Sequence, residues 1–145
     1  MSDILRLDQQ LCFALHAASR AIIAAYQPLL EALNVTYPQY LVLLTLWEED
    51  GARVSRIGER LFLDSATLTP LLKRLEKRGL VQRKRSAQDE RVVQIFLTTS
   101  GKRLKRKALD VANGIFCRMQ LPLTEVARLR EELKGLTRTL HASNG

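Results

Sequence analysis

Residues 65–97 read "SATLTPLLKRLEKRGLVQRKRSAQDERVVQIFL", and how this stretch divides decides the fold. Placed on a helix at about 100° per residue, Leu68, Leu71, Leu72 and Leu75 form one apolar stripe. Thr67, Thr69, Lys73, Arg74, Lys77 and Arg78 take the flanks and the opposite arc. The helix begins at Ser65 and ends at Gly79, because glycine adopts the left-handed conformation that closes a helix. Pro70 removes an N–H one turn in, which a helix tolerates near its start with a slight bend. Past Gly79 the pattern changes. Two β-prone runs flank a charged tip, and Val93, Ile95 and Leu97 alternate as a half-buried strand requires. The stretch reads as a helix followed by a β-hairpin.

Working outward, a short helix fits Ser55 to Leu61, with Ser55 as its N-cap, and a tight turn joins it to the Ser65 helix. That pair is a helix-turn-helix. Hydroxyls toward the start of the second helix and cations along its body suit a helix presented N-terminus first to a DNA major groove. The hairpin carries Arg83, Lys84 and Arg85, then a tip with Asp89 and Arg91. Taken alone, either element is ordinarily a solvated surface. A basic ribbon beside a basic helix matches the winged form of the motif, in which an arginine enters the narrow minor groove.

Further out, Ile4, Leu7, Leu11, Leu15, Ala18, Ile22, Leu29 and Leu33 mark one face of a long helix from Ile4 to Leu33, bent or ending near Pro28. "NVTYPQYLVLLTLWEEDG" (34–51) starts a second helix with Pro38 in its first turn; it is apolar almost all round and therefore central. After the hairpin, Thr98 or Thr99 caps a helix running to about Cys117. Val126, Leu129, Leu133, Leu136 and Leu140 then make a narrow stripe on a last helix. With the first helix, this stripe offers more apolar area than one small core needs, so a helical dimer interface is inferred.

The 145 residues are 46% hydrophobic and 26% charged, enough for one domain with a real core. A formal charge of +8, from 23 Lys+Arg against 15 Asp+Glu, favours a polyanionic partner, nucleic acid before membrane. The longest apolar run, "YLVLLTLW", is too short to span a bilayer, and the chain is expected to be soluble and cytoplasmic. Two cysteines make no disulfide framework. His16 and His141 are far apart and no CxxC occurs, so no metal site is expected; nor is there a glycine-rich phosphate loop or a Ser-His-Asp signature. Cys12 lies on the flank of the first helix's apolar stripe. If Asp8 caps that helix, the thiol sits near the first turn, where the helix dipole modestly favours a thiolate. A buried cysteine is as readily a small hydrophobe.

Several stretches together carry a resemblance: "LCFAL" at 11–15, "TYPQYLVLLTLWE" at 36–48, "GERLFLDSATLTPLLKRLEKRGLVQRKRS" at 58–86 and "DERVV" at 89–93. Over essentially its whole length the chain resembles the MarR family of bacterial winged-helix repressors, and most of all the organic-hydroperoxide sensors of the OhrR type. The resemblance implies a mainly α fold with a small β-hairpin wing and an intertwined homodimer. Residues 1–36 and 100–145 would form the helical dimerisation region, around a winged helix-turn-helix at 37–99. It implies double-stranded operator DNA as partner, organic hydroperoxide as signal, no cofactor and no enzyme activity. Asp64, Ser65, Thr67, Thr69 and Arg74 would lie at the recognition helix, with Arg91 as the wing arginine held by Asp89; the basic helix and hairpin themselves add Lys73, Arg83 and Arg85 as DNA-binding candidates. Cys12 would be the peroxidatic cysteine, with Tyr26 and Tyr37 as hydrogen-bond partners of its sulfur. Along one straight helix Tyr26 stands roughly 21 Å from Cys12, so any contact must come from the other subunit. Where many sensors have a third tyrosine this chain has His16, whose ring could favour the thiolate or accept its proton. The two-cysteine subclass further implies that Cys117 closes an intersubunit disulfide with Cys12. Other readings remain: a MarR-type repressor relieved by a small aromatic or phenolic ligand in the dimer cleft, a thiol peroxidase, or a non-specific architectural DNA binder.

Overall fold

The computed structural model describes residues 2–144. Two 3-10 turns (Ser2–Leu5 and Leu7–Gln9) lead into α1 (Leu11–Leu30), α2 (Tyr37–Glu48), α3 (Val54–Leu61) and α4 (Ser65–Lys77). The hairpin β1 (Val81–Arg85) and β2 (Val93–Leu97) follows, then α5 (Thr99–Met119) and α6 (Leu123–Asn144). The mainly helical fold with a two-stranded wing is the one the sequence predicts.

The core lies where α2, α3, α4 and the hairpin meet. Val42, Leu43, Leu46, Ile57, Leu68, Leu72, Leu75, Val81 and Ile95 are fully buried there. Helix α2 is central as expected, and a capping box starts it: Gln39 N donates to Thr36 Oγ1 (3.3 Å) and Thr36 N to Gln39 Oε1 (3.0 Å). Pairing runs antiparallel from Val81↔Leu97 to Arg85↔Val93, so Ile95 and Leu97 face the core. Asp50 Oδ1 accepts from Leu97 N (2.7 Å) and pins the base of the wing to the end of α2. Thr98 caps α5 by accepting from Gly101 N (3.1 Å). At Gly101 a Cβ would lie 2.2 Å from the Leu80 carbonyl, so only glycine fits that crossing.

Three expectations are corrected. The first helix does not run unbroken from Ile4 to Leu33, nor does Asp8 cap it. The helix starts after Gln10, which has extended backbone (φ −90°, ψ 114°), and whose side-chain amide donates back to the carbonyls of Arg6 and Ile4. Asp8 instead pairs with Arg6 at 3.3 Å. At the far end Pro28 lies in the last turn and Leu33 is buried in the following turn, which closes on the left-handed Asn34 (φ 54°). Ser55 is not the cap of the short helix. Its N-cap is Arg53, held extended (φ −68°, ψ 148°) by an isolated antiparallel bridge to Gln94, so the wing fixes where α3 begins.

Helix α6 has no buried residue, and Leu129, Leu133 and Leu140 on it are exposed, as are Ile22 and Ile23 on α1. Among the described residues no helix is long and apolar enough to cross a membrane.

Candidate nucleic-acid interface and thiol site

The candidate reading head is built from α3, α4 and the wing. At the start of α4, Asp64 is the N-cap, and its Oδ1 accepts from Thr67 N at 2.8 Å. That backbone bond, helped by the Thr67 side chain, holds the Asp64 carboxyl below the usual carboxylate range. Ser65 and Thr67 stand exposed on the first turn, Thr69 is half-buried, and Lys73 and Arg74 are exposed further along. The turn from α3 into α4 passes through Phe62 in left-handed backbone (φ 57°). It is tight enough that a Cβ on Gly58 would meet the Leu63 carbonyl at 2.8 Å.

On the wing, Asp89 Oδ1 accepts from Arg91 N (3.0 Å) and Arg91 Nε (3.2 Å), while Arg91 Nη2 reaches Oδ2 at 3.4 Å. The backbone bond and then the side-chain bonds to Arg91 lower the Asp89 carboxyl, with Arg53 adding to the effect. The arginine is therefore aimed by its carboxylate while 92% of its side chain stays exposed. Arg85 Nη1 donates to the Glu90 carbonyl (2.9 Å), and Lys84 Nζ lies 5.3 Å from the centroid of Phe96. Arg83 donates its backbone N–H to Glu76 Oε2 (3.2 Å) and lines the groove between wing and α4.

The thiols lie elsewhere. Cys12 is the second residue of α1, in the first turn, where backbone N–H groups have no intrahelical acceptor. It is exposed, as are His16 one turn later and Cys117 in the last turns of α5, and both cysteines are free thiols. Tyr26 and Tyr37 are brought together with ring centroids 4.8 Å apart, but Tyr26 is far along the same helix from Cys12, not against it. Tyr40 completes a cluster, 5.7 Å from Tyr26 and 6.4 Å from Tyr37. Burial first, and then the adjacent Tyr37 and Tyr40, push the Tyr26 hydroxyl up to about 12. Burial likewise raises Tyr37.

Two residues of these sites escape the sequence reading. Tyr40 shares a face of α2 with Tyr37, and their three-residue spacing is the signal that points to it. Arg53 carries no comparable signal, because its place beside the wing comes from the bridge to Gln94. Among the described residues no group of three His, Cys, Asp or Glu side chains could hold a metal ion.

Residues 24–108 match the transcriptional regulator SarA/Rot family. The chain is 49% identical over 142 residues to the organic hydroperoxide resistance transcriptional regulator of Bacillus subtilis, covering 98% of this chain and 97% of that one. Among solved structures, reduced AbfR bound to DNA is 39% identical with a TM-score of 0.82, over 99% of this chain and 98% of that one. The disulfide-formed AbfR is 40% identical with a TM-score of 0.66, over 94% and 96%.

Proposed function

The chain belongs to the SarA/Rot family of winged-helix transcriptional regulators, alongside the organic hydroperoxide resistance regulators of the MarR type, and from that premise we propose that it is a homodimeric redox-sensing repressor, released from a palindromic operator when Cys12 is oxidised. Residues 1–36 and 100–145 would supply the dimerisation helices and 37–99 the DNA-reading head. Asp64, Ser65, Thr67, Thr69, Lys73 and Arg74 would face the major groove, with Arg83, Arg85 and the Asp89-held Arg91 on the flanking backbone and minor groove.

The observation that carries this reading is the position of Cys12. It is an exposed thiol in the first turn of the helix whose other end holds Tyr26 in the tyrosine cluster. A second copy of α1 lying antiparallel would set the Tyr26 hydroxyl of one subunit beside the sulfur of the other, with Tyr37 behind it. The Cys12 sulfur would attack one oxygen of the hydroperoxide; the O–O bond breaks, an alcohol leaves, and the sulfur becomes a sulfenic acid. The Cys117 sulfur of the second subunit would then attack that sulfur, forming the S–S bond while the S–O bond breaks and the hydroxyl leaves with the Cys117 thiol proton as water. The two Cα atoms must come within about 7 Å, which requires the subunits to move. A coupling of about 3 kcal/mol between that movement and DNA lowers operator affinity by roughly 100-fold.

The test is a gel shift of wild type, Cys12→Ser and Cys117→Ser with and without tert-butyl hydroperoxide, paired with a non-reducing gel. Release and a dimer band that need both cysteines support the reading. A Cys12→Ser protein that still leaves DNA on oxidation removes Cys12 as the sensor. A cavity of about 620 Å³ lined by Ile22, Phe62, Leu129 and Leu133 favours one second reading, relief by a small aromatic ligand. Release by such a ligand with both thiols alkylated would select it.

A further inference from the structure

Between the start of α3, the middle of α4 and the tip-side half of the wing, the surface folds into a notch of about 360 Å³. Arg53, Ser55, Thr69, Arg83 and Arg91 supply its polar lining, and no carboxylate is among the lining residues. Among the described residues neither Arg53 nor Arg83 has an ion-pair partner. Asp89 holds Arg91 at the rim, whereas Arg53 and Arg83 have no acid within ion-pair distance, and guanidinium is the side chain best shaped for phosphate oxygens.

The walls are held in place by separate parts of the fold. The Arg53 backbone is bridged to Gln94, and Ile95 N donates to the Ala52 carbonyl at 2.9 Å. Arg83 sits in the hairpin ladder opposite Ile95, and Asp89 aims Arg91. The notch therefore exists before any ligand arrives. No aromatic ring lines it. A base or nucleoside would have nothing to stack on, whereas a strand of DNA passing between recognition helix and wing would present bare phosphate there.

We propose that this notch seats one backbone phosphate of the bound duplex, with the Arg53 guanidinium as its main ligand and the Ser55 and Thr69 hydroxyls as further donors. The proposal rests on the DNA-binding reading above and extends it to a residue outside both the recognition helix and the wing. Because the seat is formed jointly by α3, α4 and the hairpin, it fills only when helix and wing straddle the same backbone strand. It contributes register and affinity without reading sequence.

The test uses a duplex selected by the wild-type protein from a random-sequence pool, and the variants Arg53→Gln and Arg53→Lys. The Arg53 side chain does not cap α3, so both variants should keep the wild-type melting temperature. In Arg53→Gln the slope of log affinity against log salt should fall by about 0.9 for each protomer, with selected and non-selected duplexes weakened alike. Arg53→Lys should keep the slope and lose part of the affinity. Scanning a single methylphosphonate along one half-site should find one position that weakens wild type roughly tenfold and leaves Arg53→Gln no weaker than before. An unchanged salt slope in Arg53→Gln overturns the proposal, as does a methylphosphonate profile identical in the two proteins. Failure of the wild-type protein to retain any duplex overturns the DNA-binding reading itself, before Arg53 is in question.

Discussion

At the scale of single residues, the two sites use carboxyl and hydroxyl groups in opposite ways. Asp64 and Asp89 lie at the surface and keep their charge to lower pH than an ordinary carboxylate because backbone N–H groups point at them, of Thr67 and Arg91 respectively. Each carboxyl is lowered in the folded chain, so what it adds is present above the ordinary carboxylate range and is lost as pH falls through its lowered value. The reading head therefore keeps its cap and its aimed arginine at neutral pH. Tyr26 is the reverse case. Burial and two neighbouring phenols keep it neutral, with its hydroxyl raised from 10.0 to about 12. A raised value contributes stability that is complete below 10 and disappears as pH climbs toward 12. Following phenolate absorbance against pH should show all three tyrosines ionising above 10.0, with the latest step, near 12, absent in Tyr26→Phe. The variant should also lose stability less steeply over that alkaline window. A Tyr26→Phe titration identical to wild type would mean that the late proton belongs to Tyr37 or Tyr40.

Elements were legible where their signal is local. The α4 stripe, the Gly79 cap at φ 74° and the alternation in β2 are all repeats within a dozen residues, and each is found as the sequence predicts. Boundaries set by distant partners were not legible. Helix α3 begins one residue early because Arg53 is bridged to Gln94, far along the chain, and the same bridge brings Arg53 to the wing. The break before α1 depends on a glutamine amide folding back on carbonyls of the preceding turn, a choice no helical periodicity encodes. The tyrosine cluster was half legible: spacing places Tyr37 and Tyr40 on one face of α2, but only packing delivers Tyr26 to it. The turn between α3 and α4 has a sharper requirement. Gly58 is buried, and a Cβ there would stand 2.8 Å from the Leu63 carbonyl oxygen, a backbone atom that cannot move without shifting the start of α4. Gly58→Ala should lower stability by about 1–3 kcal/mol in urea unfolding, the usual range for overpacking. It should also weaken DNA binding beyond what unfolding accounts for. A urea midpoint equal to that of wild type would show that the turn relaxes freely.

For the whole molecule the decisive fact is how much apolar surface the single chain leaves uncovered. Helix α6 buries no residue of its own, and its exposed Leu129, Leu133 and Leu140 are matched by Ile22 and Ile23 on α1. Soluble monomers seldom display so continuous an apolar surface, and a two-fold partner offering the same helices would cover it. The consequence reaches the DNA. Two heads joined rigidly bind a full site with the second contact made at high effective concentration, whereas separate heads each bind a half-site alone. Leu133 lies mid-helix, with 41% of its surface exposed and no part in the core of the reading head. Leu133→Asp should therefore yield a folded protein that sediments as a monomer, with helical content close to wild type. Its affinity for a full palindrome should drop by 100-fold or so, toward that for a half-site, while half-site binding stays unchanged. If the proposed disulfide between Cys12 of one subunit and Cys117 of the other drives release, oxidation should then release it no further, because that bond needs both subunits in place. A Leu133→Asp protein that still sediments as a dimer and keeps full-site affinity would place the interface elsewhere than the α6 stripe.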